Sequence, residues 1–263
     1  MDFRRIGQIV PSSNTTMETE IPALFRGWEE HQRGGPRFTF HSSRMRMKKV
    51  SKEELAAMDR DSLRCAAELA DAPVDVVGYA CLVAIMSMGL GYHRESERNL
   101  AAVMRDNGRD VSVVTSAGAL VDELKAAGFR KISLIAPYTP MLTGLVVDYI
   151  KNEGIDVQHH IALSIEDNVA VGARDPLLLL DDIERLNTNG VDAVVLSACV
   201  QMQSLAAIQR AEDKLGLPVT STSICTTRRM MRAIGLDPVM PDAGYMLSAN
   251  NKSTASRVTA LAG

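Results

Sequence analysis

The sequence predicts an α/β protein made of two similar lobes, each with an open parallel sheet. Short apolar runs of strand type alternate with helical segments along the chain, which is typical of parallel units with right-handed crossovers. Residues 74–83 and 191–200 both open with Val-Asp and close with Ala-Cys and an aliphatic residue. Residues 131–137 likewise match residues 5–11, an apolar run ending in proline. The order of elements therefore occurs twice in the chain.

In the first half, the predicted strands are apolar runs bounded by turn residues, and the predicted helices have apolar residues at helical spacing. One helix is expected to be interrupted near Pro22. The run at 76–92 reads as a strand followed by the start of a helix. The predicted strands lie at 5–10, 37–43, 74–83 and 111–115, and the helices at 18–28, 52–69, 95–105 and 117–128.

The second half repeats the strands and helices of the first in the same order, with loops of unequal length. Val114-Thr-Ser and Val219-Thr-Ser, for example, hold the same rank in the two halves. The predicted strands lie at 131–136, 155–161, 191–197 and 218–221, and the helices at 141–152, 175–187, 205–215 and 226–235.

Two flavodoxin-like lobes related by a pseudo-twofold axis account for this repeat. We expect residues 1–117 with 224–263 to form the first lobe and residues 118–223 the second. In open parallel sheets, ligands bind outside the carboxyl ends of the strands. The predicted active site is therefore the cleft between the lobes, where the loops at both sets of strand ends face each other.

Composition excludes several classes of protein. The net charge of −3 gives no electrostatic footprint for nucleic acid. The longest uncharged run, 76–92, is too short and too rich in glycine to span a membrane. No secretory h-region follows the first residues, so a cytoplasmic location is expected. The histidines have no partners at metal-ligand spacing, and no metal site is predicted.

Cys81 and Cys199 are the leading candidates for chemistry, because they hold the same position in the two halves. A lone cysteine on an apolar strand is usually a buried hydrophobic residue, and Cys65 and Cys225 are interpreted in that way. The paired cysteines instead follow a strand and precede a helix, where the helix N-terminus favours the thiolate. Two nearby thiols do not readily both ionise, so one thiolate and one thiol are expected at rest.

Three further polar residues fall in loops at strand ends: Asn14, Tyr138 and Asn168. Taken singly, each suits turn chemistry or helix capping. Together with backbone N–H groups they are also sufficient to hold a carboxylate. The basic run at 44–49 is interpreted as a solvated loop.

These motifs together resemble the maleate cis–trans isomerase family of the aspartate/glutamate racemase superfamily. The resemblance covers about residues 5–235. It rests on Pro11-Ser-Ser-Asn-Thr-Thr-Met-Glu, Ala80-Cys81-Leu-Val, Ala136-Pro-Tyr-Thr-Pro, Asp167-Asn168 and Ala198-Cys199-Val-Gln.

The resemblance implies cofactor-free isomerisation of maleate to fumarate by a homodimer. The thiolate of Cys81 would add to the alkene and form a succinyl-cysteine, and Cys199 would donate or accept the proton. The other implied substrate-binding residues are Asn14, Tyr138 and Asn168 through their side chains, and Leu82, Val83, Val200 and Gln201 through their backbone.

Three alternatives stay open. A two-cysteine racemase or epimerase would use the same site, although racemases of the superfamily follow the first cysteine with Asn-Thr and the second with Thr, unlike Leu82-Val83 and Val200-Gln201. Arylmalonate decarboxylase has glycine in place of the first cysteine, so Cys81 argues against that activity. A binding protein without turnover is the third possibility, because fold alone does not assign activity.

Overall fold

The computed structural model describes residues 2–47, 52–249 and 251. Two four-stranded parallel sheets form the two lobes, in the orders β2-β1-β3-β4 and β6-β5-β7-β8. The second sheet thus repeats the strand order of the first, and the predicted fold class is confirmed. The strands are β1 (Phe3–Pro11), β2 (Arg37–Met45), β3 (Val76–Tyr79), β4 (Ser112–Thr115), β5 (Lys131–Ala136), β6 (Asp156–Ala162), β7 (Ala193–Ser197) and β8 (Val219–Ser221).

Helices connect successive strands and cover the sheets. They are α1 (Glu20–His31), α2 (Lys52–Ala70), α3 (Leu82–Ser87), α4 (His93–Asp106), α5 (Ser116–Ala126), α6 (Pro140–Asn152), α7 (Asn168–Ala173), α8 (Leu179–Asp182), α9 (Leu205–Leu215) and α10 (Thr222–Ala233). Among the described residues, no helix is both long and apolar enough to cross a bilayer.

The central strands are buried on both faces, which explains their continuous aliphatic sequences. Every residue of β3 and of β7 is buried. β1 pairs with β2 along its whole length, from Phe3 opposite Arg37 to Pro11 opposite Met45. β1 also pairs with β3, from Ile6 opposite Val76 to Ile9 opposite Tyr79, which sets its carboxyl end beside that of β3, where Cys81 follows.

Three helix predictions were wrong in detail. α1 is not interrupted at Pro22, because a proline in the first turn lacks only an N–H that has no partner there. The predicted helix at 175–187 is a short α-helix, α8, between 3-10 turns at Pro176–Leu178 and Ile183–Arg185. α10 begins four residues before position 226, since the Ser221 hydroxyl accepts a hydrogen bond from the N–H of Ile224 at 3.3 Å.

The last helix, α10, returns to the first sheet. It packs against α5, α1, β3 and β4. A fully buried ion pair joins Arg228 of α10 to Glu123 of α5, and Arg232 also contacts Glu123, at 3.2 Å. The lobe boundaries at 117/118 and 223/224 stay a prediction.

Candidate active site

Both cysteines of the repeat line one cavity between the sheets. They lie just beyond the carboxyl ends of β3 and β7, the equivalent strands of the two lobes. The cavity is small, with a free volume of about 20 Å³. The described residues that line it carry no formal charge: Pro11, Asn14, Met47, Cys81, Val83, Tyr138, Asn168, Cys199, Val200 and Gln201.

Cys81 sits on a strained strand-to-helix turn. It is the residue before α3 and has φ 99° and ψ 72°, in the left-handed region that non-glycine residues avoid. The N–H of Ala84 in the first turn of α3 donates a hydrogen bond to the sulfur. The thiol is half-buried and faces the cavity. Its placement before a helix was therefore predicted correctly, while the positive φ was not foreseen.

Cys199 has a different backbone, although its sequence position is equivalent. The helix expected directly after it begins only at Leu205, so the residues between form a turn. The Ser197 hydroxyl closes this turn by contacting the carbonyl oxygens of Cys199 and Met202 at 2.8 and 2.9 Å. The N–H groups of Gln201 and Met202 point at the sulfur. The helix-terminus argument was therefore wrong for Cys199, and turn amides take that role.

Burial decides the protonation of both thiols. It raises the pKa of Cys81 to about 12, although the N–H of Ala84 lowers it, and the nearby Cys199 sulfur raises it further. Burial also raises the pKa of Cys199, against the hydrogen bonds from the Tyr138 hydroxyl and the turn amides. Burial thus opposes ionisation of either sulfur, which favours two thiols at neutral pH over the expected thiolate and thiol.

Tyr138 lies beside Cys199 on the loop after β5. Its hydroxyl is hydrogen-bonded to the Cys199 sulfur. Burial, first, and then the two nearby sulfurs raise the pKa of this phenol well above its usual range. Tyr138 is therefore a neutral donor in the cavity and not a base.

Asn14 lies in the turn after β1. Its side-chain oxygen accepts a hydrogen bond from the N–H of Met17 at 2.9 Å, so it stabilises this turn rather than the start of α1. The Arg44 guanidinium donates to the carbonyl oxygen of Asn14 at 2.9 Å and also pairs with Glu18. The run at 44–49 is thus not simply a solvated loop: Arg44 ends in these contacts and Met47 is buried against the cavity, while residues 48–49 lie outside the described residues.

The structure brings all the predicted site residues to the cavity wall except Leu82. Its side chain is buried in the hydrophobic core instead, which is compatible with the role predicted for its backbone. Pro11, at the end of β1, and Met47 also line the cavity, and Met47 was not predicted. No pattern marked Met47, because its neighbours are basic and only the pairing of β1 with β2 brings it to the cleft.

Comparison with known proteins places this site in a family. The family model described as arylmalonate decarboxylase matches residues 6–247. The maleate isomerase of Pseudomonas putida is 57% identical over 244 residues, 93% of this chain and 97% of the relative. The chain belongs to the maleate isomerase family. The resemblance drawn from the cysteine motifs is therefore confirmed.

Two solved structures of maleate isomerases match nearly the whole chain. One is the Pseudomonas putida S16 enzyme Iso with maleate, in a variant with one cysteine replaced by alanine; the TM-score is 0.92 at 53% identity, over 96% of this chain and 99% of that one. The other is the Nocardia farcinica maleate cis–trans isomerase with a covalently bound succinylcysteine intermediate, in a variant with one cysteine replaced by serine. Its TM-score is 0.89 at 40% identity, over 93% of this chain and 98% of that one.

Proposed function

We propose that this protein converts maleate to fumarate without a cofactor, with Cys81 as the nucleophile and Cys199 as the proton donor and acceptor. The observation that carries the proposal is the placement of two equivalent thiols on one small, uncharged cavity. The succinylcysteine held by the Nocardia farcinica relative supports it, because this adduct is what addition of a cysteine to maleate gives.

The chemistry follows from the two thiols being protonated at rest. The Cys81 sulfur forms a bond to one olefinic carbon, and the π electrons move to the other. That carbon takes the proton of Cys199, while the proton released by Cys81 replaces it on the Cys199 sulfur. The net result is addition of the Cys81 thiol across the double bond. Rotation about the resulting single bond and reversal of these steps give fumarate and restore both thiols.

The cavity suits the charge that develops during addition. Negative charge spreads onto the carboxylate next to the attacked alkene, and preorganised neutral donors stabilise such charge in a site that excludes water. We assign this role to the side chains of Asn14, Tyr138 and Asn168. The backbone after each cysteine, at Leu82, Val83, Val200 and Gln201, completes the carboxylate-binding turns.

Proton NMR of maleate tests this proposal. The wild-type protein should convert the maleate signal into that of fumarate. Cys81→Ser should remove turnover while the protein stays folded. The matched control is Cys225→Ser, which removes a buried thiol of α10 outside the cavity and should retain turnover.

Assays of the same wild-type protein with maleate, aspartate and glutamate test the racemase alternative. If the wild-type protein leaves maleate unchanged but racemises aspartate or glutamate, isomerisation is wrong and the two thiols serve as opposed acid and base. If neither substrate changes while maleate binds equally well to wild type and Cys81→Ala, the protein is a binder of small acids.

A further inference from the structure

We propose that the side chain of Gln201 is a positioning residue that fixes the two carboxylate-binding asparagines across the cleft. The sequence indicated a role only for its backbone. The inference rests on the proposed function, since its consequence is how the site holds a dicarboxylate.

The side-chain amide of Gln201 is fully used by the protein. Its oxygen accepts hydrogen bonds from the N–H groups of Thr15 at 3.0 Å and Thr16 at 3.5 Å. Its nitrogen donates to the carbonyl oxygens of Ser13 at 3.1 Å and Asn168 at 2.7 Å. An amide has two donors and two acceptor sites, and the residue is only 3% exposed. Nothing of this group is left to bind a substrate.

These bonds join the two lobes at the site. Ser13 and Thr15 flank Asn14 on the loop after β1 of the first lobe, while Asn168 begins α7 of the second. The Asn168 amide also donates to the Ser13 hydroxyl at 2.8 Å. The distance between the two asparagines, and so between two bound carboxylates, is set through Gln201.

Gly172 supplies a second, independent observation. A Cβ atom at this position would lie 2.6 Å from the Gln201 amide nitrogen and 3.1 Å from its amide carbon. Glycine inside a helix is unfavourable, yet α7 has glycine at position 172, next to the side-chain amide of Gln201. The nitrogen cannot move away without losing its bonds to Ser13 and Asn168, so the helix is shaped around the Gln201 side chain.

A positioning role and a purely structural role differ in kinetics. Loss of carboxylate contacts made in both the ground state and the transition state raises KM with little change in kcat. General destabilisation lowers the active fraction, which reduces kcat at unchanged KM. Loss of a hydrogen bond to a charged group typically weakens binding by about 10- to 100-fold. We therefore expect Gln201→Ala to raise KM for maleate by about 10- to 100-fold.

A double-mutant cycle between Gln201→Ala and Gly172→Ala tests the mechanism. Gly172→Ala alone should raise KM at least tenfold, because the new methyl displaces the amide. In the Gln201→Ala background the same change should alter KM by less than about twofold. The methyl then meets only the Thr15 hydroxyl oxygen, at 3.2 Å, and this short side chain can rotate away. Gln201→Met keeps the length of the side chain without its amide and should reproduce the KM effect if the alanine variant is unstable.

Gln203→Ala is the matched control. This glutamine donates to the carbonyl oxygen of Gly172 at 2.7 Å, a hydrogen bond within the second lobe, so KM should stay within about twofold of wild type. Equal effects of Gly172→Ala in both backgrounds, or a fall in kcat at unchanged KM, would overturn the proposal.

Failure of the proposed function can be distinguished from failure of this inference, because the wild-type protein would then leave maleate unchanged. In that case the cycle is measured by the urea midpoint of unfolding. Gly172→Ala should lower the midpoint only where Gln201 is present, and an equal shift in both backgrounds overturns the contact on which the inference rests.

Discussion

The backbone conformation of Cys81 predicts that substitution by glycine changes stability differently at Cys81 and at Cys199. Cys81 has φ 99°, whereas Cys199 is not among the residues with positive φ. An L-residue in the left-handed region costs about 1–2 kcal/mol relative to glycine. Glycine in turn loses about 0.5–1 kcal/mol relative to alanine, since its unfolded chain has more freedom.

Comparing alanine with glycine at each site isolates this effect, because both variants lack the thiol. At Cys81 the two contributions oppose each other, so Cys81→Gly should be as stable as Cys81→Ala or more stable by up to about 1.5 kcal/mol. At Cys199 only the second acts, so Cys199→Gly should be less stable than Cys199→Ala by about 0.5–1 kcal/mol. The two sites should thus differ by about 1–2 kcal/mol.

Urea unfolding of the four variants at neutral pH measures this difference, with equal m-values as the check that the unfolding transitions are comparable. If glycine destabilises both sites by the same amount relative to alanine, the strained turn assigned to Cys81 is wrong.

Three further predictions follow from burial and packing. The pKa of Cys81 is raised from about 8.5 in the unfolded chain to about 12, so the unfolded state loses its proton first. Above about pH 8.5, the free energy of unfolding of wild type should therefore fall relative to that of Cys81→Ser by about 1.4 kcal/mol per pH unit. A difference between the two proteins that does not change with pH between 7 and 10.5 in urea unfolding would contradict this. The buried Glu20 carboxylate accepts the N–H groups of Ser204, at 2.7 Å, and Leu205 at the start of α9. Glu20→Ala should cost about 2 kcal/mol and Glu20→Gln less, and equal losses in thermal unfolding would refute the capping role. A Cβ at Gly78 would lie 2.6 Å from the Met230 sulfur, so Gly78→Ala should cost about 1–3 kcal/mol by overpacking; unchanged stability would show that this methionine moves freely.

The repeated fold was predictable because the pattern that encodes it is local. Aliphatic runs mark the buried strands, and the shared Val-Asp and Ala-Cys ends of residues 74–83 and 191–200 align the two halves. Residues 175–187 show the limit of such reasoning. Their apolar spacing is that of a helix, but Pro176 and the turns on either side of α8 divide the segment.

The residues that line the site were predictable from the sequence, but their protonation and hydrogen bonding were not. Strand-end positions located the two cysteines, Asn14 and Asn168, since parallel strands bring their carboxyl ends to one edge. The protonation of the thiols was not predictable, because it depends on how deeply the tertiary structure buries each sulfur. The side-chain role of Gln201 was also hidden, since its partners lie more than thirty residues away in sequence.

Trapping the covalent adduct tests the central claim most directly. Cys199→Ser, incubated with maleate, should gain the mass of one maleic acid, and peptide mapping should place it on Cys81. Cys81→Ser under the same conditions should gain nothing. The absence of any adduct, or its attachment to Cys65 or Cys225, would contradict the assignment of Cys81 as the nucleophile.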